Sequence, residues 1–261
     1  MLFDIHAHYD DERFDQDRYV IIEKAHYDEG VTYIINAASD FDSIEKSIEF
    51  SKKYSFVFAA IGIHPHNAKE TIFNELAKIY NYADSDKIVA IGEIGLDYYY
   101  EFSPKEMQIK TFVQQIGIAK ELKLPIVIHN RDSHEDMLKI IKQENAKEIG
   151  GVFHCFSGSV EMAKELLKNN FYISVGGPVT FKNARKVVEV VKYVPEDRLL
   201  VETDCPYLTP EPFRGKRNYS GYLKYIVAKV AEIKGLTFDE ASMITTKNAI
   251  QLFGINSTEV H

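Results

Sequence analysis

The chain has 261 residues, 45% of them hydrophobic, with 16 Phe, 16 Tyr and no Trp, and its 39 acidic and 31 basic residues give a formal charge of −8. A chain of this size buries roughly 73% of its unfolded surface, which excludes a disordered segment or a miniprotein stapled by disulfides. The acidic balance excludes general coating of polyanions by counterion release, so any contact with nucleic acid must be local.

No apolar run approaches the roughly 18 to 20 residues needed to cross a bilayer. The opening Met1-Leu-Phe-Asp-Ile-His lacks the basic and apolar regions of a signal peptide. Only Cys155 and Cys205 are present, far apart and without a CxxC spacing. Such cysteine usage fits a reducing compartment and disfavours thiolate zinc. The expectation is a cytoplasmic protein, and nothing indicates a membrane or a protein partner.

In chain order, strand-like apolar stretches lie at Leu2 to Ile5, Tyr33 to Ile35, Phe56 to Ile63, Ile88 to Ile91, Ile126 to Ile128, Gly151 to Phe153, Tyr172 to Val175 and Leu199 to Val201. Helical periods fall between them: Ile109, Phe112, Val113 and Ile116 share one face, as do Leu223, Ile226, Val227 and Val230. Two helix starts are legible. Ser103-Pro-Lys-Glu106 predicts a capping serine with proline at the first helical position, and Thr237 with Glu240 predicts a second capping box.

Strands apolar on both faces, alternating with amphipathic helices, imply a parallel sheet covered by helices. Eight such units predict an α/β chain folded as one (β/α)₈ barrel domain over residues 1–261, with no linker or composition shift to divide it. A doubly wound sheet would want a glycine-rich loop after the first strand, where this chain has His6-Ala-His8.

Candidate ligands end one strand after another: His6 and His8 the first, His64 the third, Glu93 the fourth, His129 the fifth, His154 the sixth and Asp204 the eighth. In a barrel those ends converge on the face that carries active sites. His6 and His8 are two apart on a strand, so both imidazoles point to one side. Polar filling of the core is the competing reading for such a pair, but His129 and His154 each close a run too apolar to explain them. The set is nitrogen and oxygen only, which suits one or two divalent cations such as zinc, manganese, nickel or, with substrate oxygens, magnesium. Glu93 can bridge two ions, with His6, His8 and Asp204 around one and His129 and His154 around the other. An activated water is then the nucleophile, with Asp204 orienting it and handling its proton, and Glu202 supporting the site from two residues before.

His64 falls outside either group of three and is assigned to substrate contact, with His66 a weaker candidate. Arg214, Lys216 and Arg217 form a cationic loop after the eighth strand, where barrel enzymes often hold phosphate, and Arg131 either joins them or pairs with a nearby acid. Tyr98, Tyr99, Tyr100 and Phe156 stand beyond strand ends, where they either stack on bases or pack under helices. Asp97 reads as a strand-end salt bridge. Alternation predicts that Cys155 and Cys205 turn away from the pocket as buried filler. His26, His134 and His261 receive no role.

In this order, Phe3-Asp-Ile-His-Ala-His8, Gly62-Ile-His-Pro-His66, Gly92-Glu-Ile-Gly-Leu-Asp-Tyr98, Ile128-His-Asn-Arg131, His154-Cys-Phe-Ser-Gly158, Glu202-Thr-Asp-Cys-Pro206 and Arg214-Gly-Lys-Arg-Asn218 resemble the motifs of TatD-related metal-dependent deoxyribonucleases. The resemblance runs from residue 3 to about residue 253. It implies a distorted TIM barrel of the metallo-dependent hydrolase superfamily and hydrolysis of DNA phosphodiester bonds, with single-stranded ends as substrate. It also implies metal-ligand roles for His6, His8, Glu93, His129, His154 and Asp204, and phosphate contact by His64. Tyr219-Ser-Gly-Tyr222 departs from the Glu-Pro that the family often shows after the position of Asn218. The competing expectation is a small-molecule amidohydrolase, lactonase or phosphotriesterase on the same barrel. Those relatives frequently bridge their ions with a carboxylated lysine, in the region where this chain carries Glu93.

Overall fold

The computed structural model describes residues 1–69 and 75–255, so His261 lies outside the described residues. Among them, β1 (Leu2–Ala7), β2 (Val31–Ala37), β3 (Val57–Ile61), β4 (Ile88–Asp97), β5 (Ile126–Arg131), β6 (Gly151–Phe153), β7 (Phe171–Val175) and β8 (Leu199–Val201) form one sheet in sequential order. Every neighbouring pair is parallel. Most strand residues are buried, as expected where helices cover the outside and side chains fill the inside of a barrel.

The sheet closes at the seam between β8 and β1. Ala7 bridges Cys205 in parallel register, the His8 amide donates to the Cys205 carbonyl at 2.8 Å, and the Asp204 amide donates to the His6 carbonyl at 2.9 Å. Deeper in the seam, buried Asp4 accepts from the Thr203 amide at 2.8 Å and the Thr203 hydroxyl at 2.6 Å. Burial would otherwise leave those donors without water, so the carboxylate joins the two strands where their ladder is short.

The helices α1 (Arg18–Tyr27), α2 (Phe41–Lys53), α3 (Lys78–Tyr82), α4 (Lys105–Leu122), α5 (His134–Gln143), α6 (Val160–Lys168), α7 (Arg185–Tyr193), α8 (Leu223–Lys234) and α9 (Phe238–Phe253) complete the described chain. Phe112 and Ile116 of α4 and Leu223, Ile226, Val227 and Val230 of α8 are buried, as their spacing predicts. The Thr237–Glu240 capping box forms at the start of α9. The cap predicted for α4 does not: Pro104 is the N-cap residue, and the Ser103 hydroxyl instead donates to the His66 carbonyl at 2.7 Å. Thus Ser103 ties the loop after β3 to the start of α4.

Helix α9 covers the N-terminal end of the barrel. Asn248 donates to the Leu199 carbonyl at 2.9 Å, and Ser242 donates to the Met1 carbonyl. The opposite mouth, at the C-terminal strand ends, is left to the polar residues.

Strand β4 runs further than its apolar stretch predicts, to Asp97, and Gly95 permits this. Its φ is +143°, and a Cβ placed there would lie 2.0 Å from the His129 carbonyl oxygen of β5. Without a side chain, β4 closes onto β5 and brings both Glu93 and Asp97 to His129. Gly95→Ala is therefore expected to destabilise the fold by about 1–3 kcal/mol or more through overpacking, read as a lower urea midpoint at unchanged m-value.

Candidate metal centre

Glu93 sits at the centre of the mouth, buried at 3% exposure. Its Oε2 lies 3.2 Å from His6 Nε2 and 3.6 Å from His8 Nε2, while its Oε1 lies 2.7 Å from His129 Nδ1 and 2.8 Å from His154 Nε2. Asp204 Oδ1 approaches His8 Nε2 at 3.3 Å and His6 Nε2 at 3.8 Å, and the His6 and His8 Nε2 atoms are 3.1 Å apart. Four strands and the β1/β8 seam thereby deliver one cluster. The seam bonds made by the His8 and Asp204 amides hold three of its side chains in register.

The proton inventory of these rings is fixed by what lies behind them. His8 Nδ1 faces the Ala37 carbonyl at 2.8 Å, His129 Nε2 faces Asp97 Oδ2 at 3.1 Å, and His154 Nδ1 faces Glu202 Oε1 at 3.3 Å. Carbonyl and carboxylate oxygens only accept, so each of those nitrogens carries the proton. The opposite nitrogen of each neutral ring then presents a lone pair toward Glu93. Lone pairs and carboxylate oxygens packed at 2.7 to 3.6 Å repel unless a cation or a proton lies between them.

That donor set fits a divalent cation. A tetrahedral ion with nitrogen and oxygen ligands at about 2.0–2.1 Å sets its ligands about 3.4 Å apart. The His6, His8, Glu93 and Asp204 atoms stand 3.1 to 3.8 Å from one another across the pairs given above. Among the described residues, three groups of ligand atoms lie within 4.8 Å of one another: His6 with His8 and Glu93, His6 with His154 and Asp204, and His64 with Glu93 and His129. Metal-binding histidines oriented from behind by carbonyls and carboxylates are the usual arrangement.

His64 differs from the other rings. Its Nδ1 accepts from the His66 amide at 3.1 Å, so the neutral ring carries its proton on Nε2, which points at Glu93 Oε1 from 3.4 Å. Burial is the largest influence on this ring and lowers its pKa to about 4, despite the attraction of Glu93. It is therefore a neutral hydrogen-bond donor within the cluster.

Burial opposes charge on His8 too, but the hydrogen bond it donates to Asp204 and the charges of Glu93 and Asp204 outweigh it, pushing its pKa up to about 9. For Glu93, burial favours the neutral acid, yet His154, His64, His6 and His129 together hold it well below the usual carboxylate range. Asp204 is lowered against burial chiefly by its bond with His8. Without metal, protons occupy the space between the rings and the carboxylates.

The structure gives Asp97 more than the salt bridge expected of it. Its Oδ2 contacts both His129 and His66 Nε2, the latter at 2.9 Å, while Oδ1 accepts from the Tyr99 and Tyr100 amides at 3.0 and 2.9 Å. One carboxylate therefore orients a ring facing Glu93 and shapes the loop beyond β4. Even spacing from Glu93 along one strand was the available signal. Asp97→Asn is expected to weaken cation affinity about 10–100-fold while retaining the fold, measured by calorimetric metal titration beside circular dichroism.

Two cavities meet at the cluster and share His129, His154, Arg131, Asp204 and Leu208. The larger, about 680 Å³, extends past His64 and His66 to Tyr100 and Phe102 on one side and Asp10 and Asp11 on another. The smaller, about 460 Å³, runs toward the segment between β7 and α7. Arg131 is exposed and stacks over Tyr99 at 4.1 Å and Tyr100 at 4.7 Å. Tyr98 hydrogen-bonds Asp136, and Phe156 is buried but lines the smaller cavity.

Several residues lie elsewhere than their sequence pattern predicts. Arg217 is committed to Asp17 at 2.5 Å and lines neither cavity; Lys216 also lines neither, resting near the Phe213 ring. Arg214 stacks over Phe181, 4.2 Å from its centroid, at the edge of the smaller cavity. Cys205 is fully buried, as alternation requires, but Cys155 lines the smaller cavity. Strand β6 ends at Phe153, and Cys155 adopts φ +38°, so alternation does not reach it. Its amide donates to Glu202 Oε1 at 2.6 Å, and burial together with nearby carboxylates keeps its thiol protonated. The smaller cavity's Phe181, Asn183 and Lys186 carried no sequence signal, since they belong to no strand end.

Among the described residues, no helix is long and apolar enough to cross a membrane. The TatD related DNase family model matches residues 3–254. The chain is 52% identical to the uncharacterized metal-dependent hydrolase YabD of Bacillus subtilis over 98% of this chain and all of that one. It is 40% identical to the uncharacterized metal-dependent hydrolase YcfH of Escherichia coli K12, covering 78% of this chain and 76% of the relative. Among solved structures, the TatD homologue YJJV of Escherichia coli K12 superposes with a TM-score of 0.91 at 28% identity, covering 98% of both chains. Engineered lactonase-derived structures match at a TM-score of 0.65 and 14% identity, a likeness of fold alone. The chain belongs to the TatD-related DNase family and is a metal-dependent hydrolase with a TIM-barrel fold.

Proposed function

We propose that this hydrolase cleaves phosphodiester bonds at the ends of single-stranded DNA. One observation carries the reading: the two cavities join only around His129, His154, Arg131, Asp204 and Leu208. A diester seated there has an ester arm for each cavity, and Arg131 stands within reach of both arms. An ester or lactone of one small acyl group would leave one cavity without use. The exposed cations support the same reading, since Arg131, Lys186 and Arg214 border a mouth in an otherwise acidic chain.

His6, His8, Glu93, His129, His154 and Asp204 would hold the divalent cations, which when bound would supply Lewis acidity toward a phosphoryl oxygen and a lowered pKa for water. The remaining chemistry belongs to the chain. Arg131 offers a planar, charged donor for phosphate oxygens. His64 lines the larger cavity with its Nε2–H directed at Glu93 Oε1, and its low pKa keeps it neutral at working pH. Asp204 is ionised, and its side chain, at 13% exposure against 4% for Glu93, is the more accessible carboxylate for taking a proton from attacking water. Tyr100 and Phe102, stacked at 5.3 Å, offer an aromatic lip for the departing strand.

Purified protein is expected to degrade a single-stranded oligonucleotide only with added divalent cation. His129→Ala and Asp204→Asn are each expected to lower that rate at least about 100-fold while the thermal unfolding profile is retained; undiminished cleavage in chelator defeats the reading. The state of His8 gives a separate expectation. Its folded pKa is raised to about 9, so below that pH a cation must displace its proton. Cation affinity should therefore rise with pH up to about pH 9, by about tenfold per unit for each proton displaced. Calorimetry in two buffers of different ionisation enthalpy counts the protons released.

A further inference from the structure

The smaller cavity has a composition unlike the rest of the mouth. Its walls include Phe156, Val179, Phe181 and Val187, against which Asn183 and Lys186 supply polar groups at the open side. Phe156 and Val179 are buried and form a fixed apolar floor, while Phe181 is half-buried with Arg214 on one face. Nothing in the cluster's own chemistry requires this apolar recess. Its volume, about 460 Å³, lies within the roughly 300–1,000 Å³ of pockets that enclose a small molecule.

Charge around the mouth is also one-sided. Lys182, Arg185 and Lys186 follow β7 and are exposed, with Arg214 beside them, whereas Asp10 and Asp11 border the larger cavity near β1. An anionic chain is attracted to the first side, whereas Asp11 on the second is already paired with Arg13 at 2.8 Å. A flat apolar group that carries a phosphate is the ligand that satisfies both the recess and its rim.

Resting on the phosphodiesterase reading above, the geometry assigns the cavity between β7 and α7 as the binding site for a single nucleoside, the one esterified to the phosphate under attack. Its base enters between Phe156 and Phe181, and its phosphate remains at Arg131 and the metal-ligand residues. Asn183 provides an amide that can both donate to and accept from a base edge. The recess takes one nucleoside, and the next residue of the strand must leave through the larger cavity toward Tyr100 and Phe102. This accounts for attack at a strand end, where only one residue has to be enclosed.

The test compares two diesters with the same leaving group: thymidine 5′-(p-nitrophenyl phosphate) and methyl p-nitrophenyl phosphate. The native, cation-loaded enzyme is expected to prefer the nucleoside ester in kcat/KM by about tenfold or more, the scale of one base stacked on an aromatic ring. Val187→Trp, which narrows the recess, is expected to bring that ratio near one. A ratio near one in the native enzyme, or a preference that survives Val187→Trp, overturns the assignment while leaving the phosphodiesterase reading intact. Hydrolysis of neither ester, nor of single-stranded oligonucleotide, removes both.

A readout independent of turnover comes from Phe181→Trp, because the native chain contains no Trp. Thymidine 5′-monophosphate is expected to quench its emission saturably, and ribose 5-phosphate is expected to leave it unchanged. Equal responses to the two, or none to either, overturn the assignment even if Val187→Trp fails to fold.

Discussion

The buried carboxylate of Glu93 organises the mouth of this barrel. Imidazoles from β1, β5 and the turn after β6 direct nitrogen toward its two oxygens, and three of those rings are held from behind by Ala37, Asp97 and Glu202. A buried carboxylate surrounded by neutral lone pairs is unfavourable in a low-dielectric interior, so the arrangement demands positive charge at its centre. Protons serve in the metal-free chain, and divalent cations serve in the loaded one. His64 stands apart because its own turn captures Nδ1, which turns the ring into a donor in the midst of acceptors.

The remainder of the fold keeps this arrangement from relaxing. At the seam the β1/β8 ladder is short, with Ala7 bridging Cys205. Asp4, bonded to Thr203, and the His8 and Asp204 backbone amides hold that seam together. Gly95 allows β4 and β5 to approach until two carboxylates of one strand face one imidazole of the next. At the other end of the barrel, α9 covers the opening and satisfies the carbonyls of Met1 and Leu199, leaving a single polar mouth among the described residues. Asp97 extends the order of the site outward, since the same carboxylate that holds His129 also fixes the turn bearing Tyr99 and Tyr100.

The eight strands were legible because apolar runs buried on both faces are a local signal, and the thresholds at which they end were marked by His, Glu and Asp. Where reading failed, a long-range contact had overridden a local rule. Ser103 carries the chemistry of a cap but finds the His66 carbonyl first. Cys155 follows a strand by two residues, yet the chain has already turned out of the strand geometry, so its side chain meets the cavity. Arg217 belongs to an exposed basic stretch, but Asp17, 200 residues away, pairs with it. Asp97 reads locally as a salt bridge because its partners, His66 and His129, arrive from two other elements.

Residue type and spacing alone determined the barrel, its strand order and the set of side chains able to bind a cation, because periodicity and strand-end position are properties of short segments. Tertiary structure decided which nitrogen of each ring bears the proton, which cations stay available at the rim, and that the mouth divides into an acidic-aromatic cavity and an apolar one. Those features depend on distances between residues remote in sequence, and a chain read in one dimension carries no measure of them.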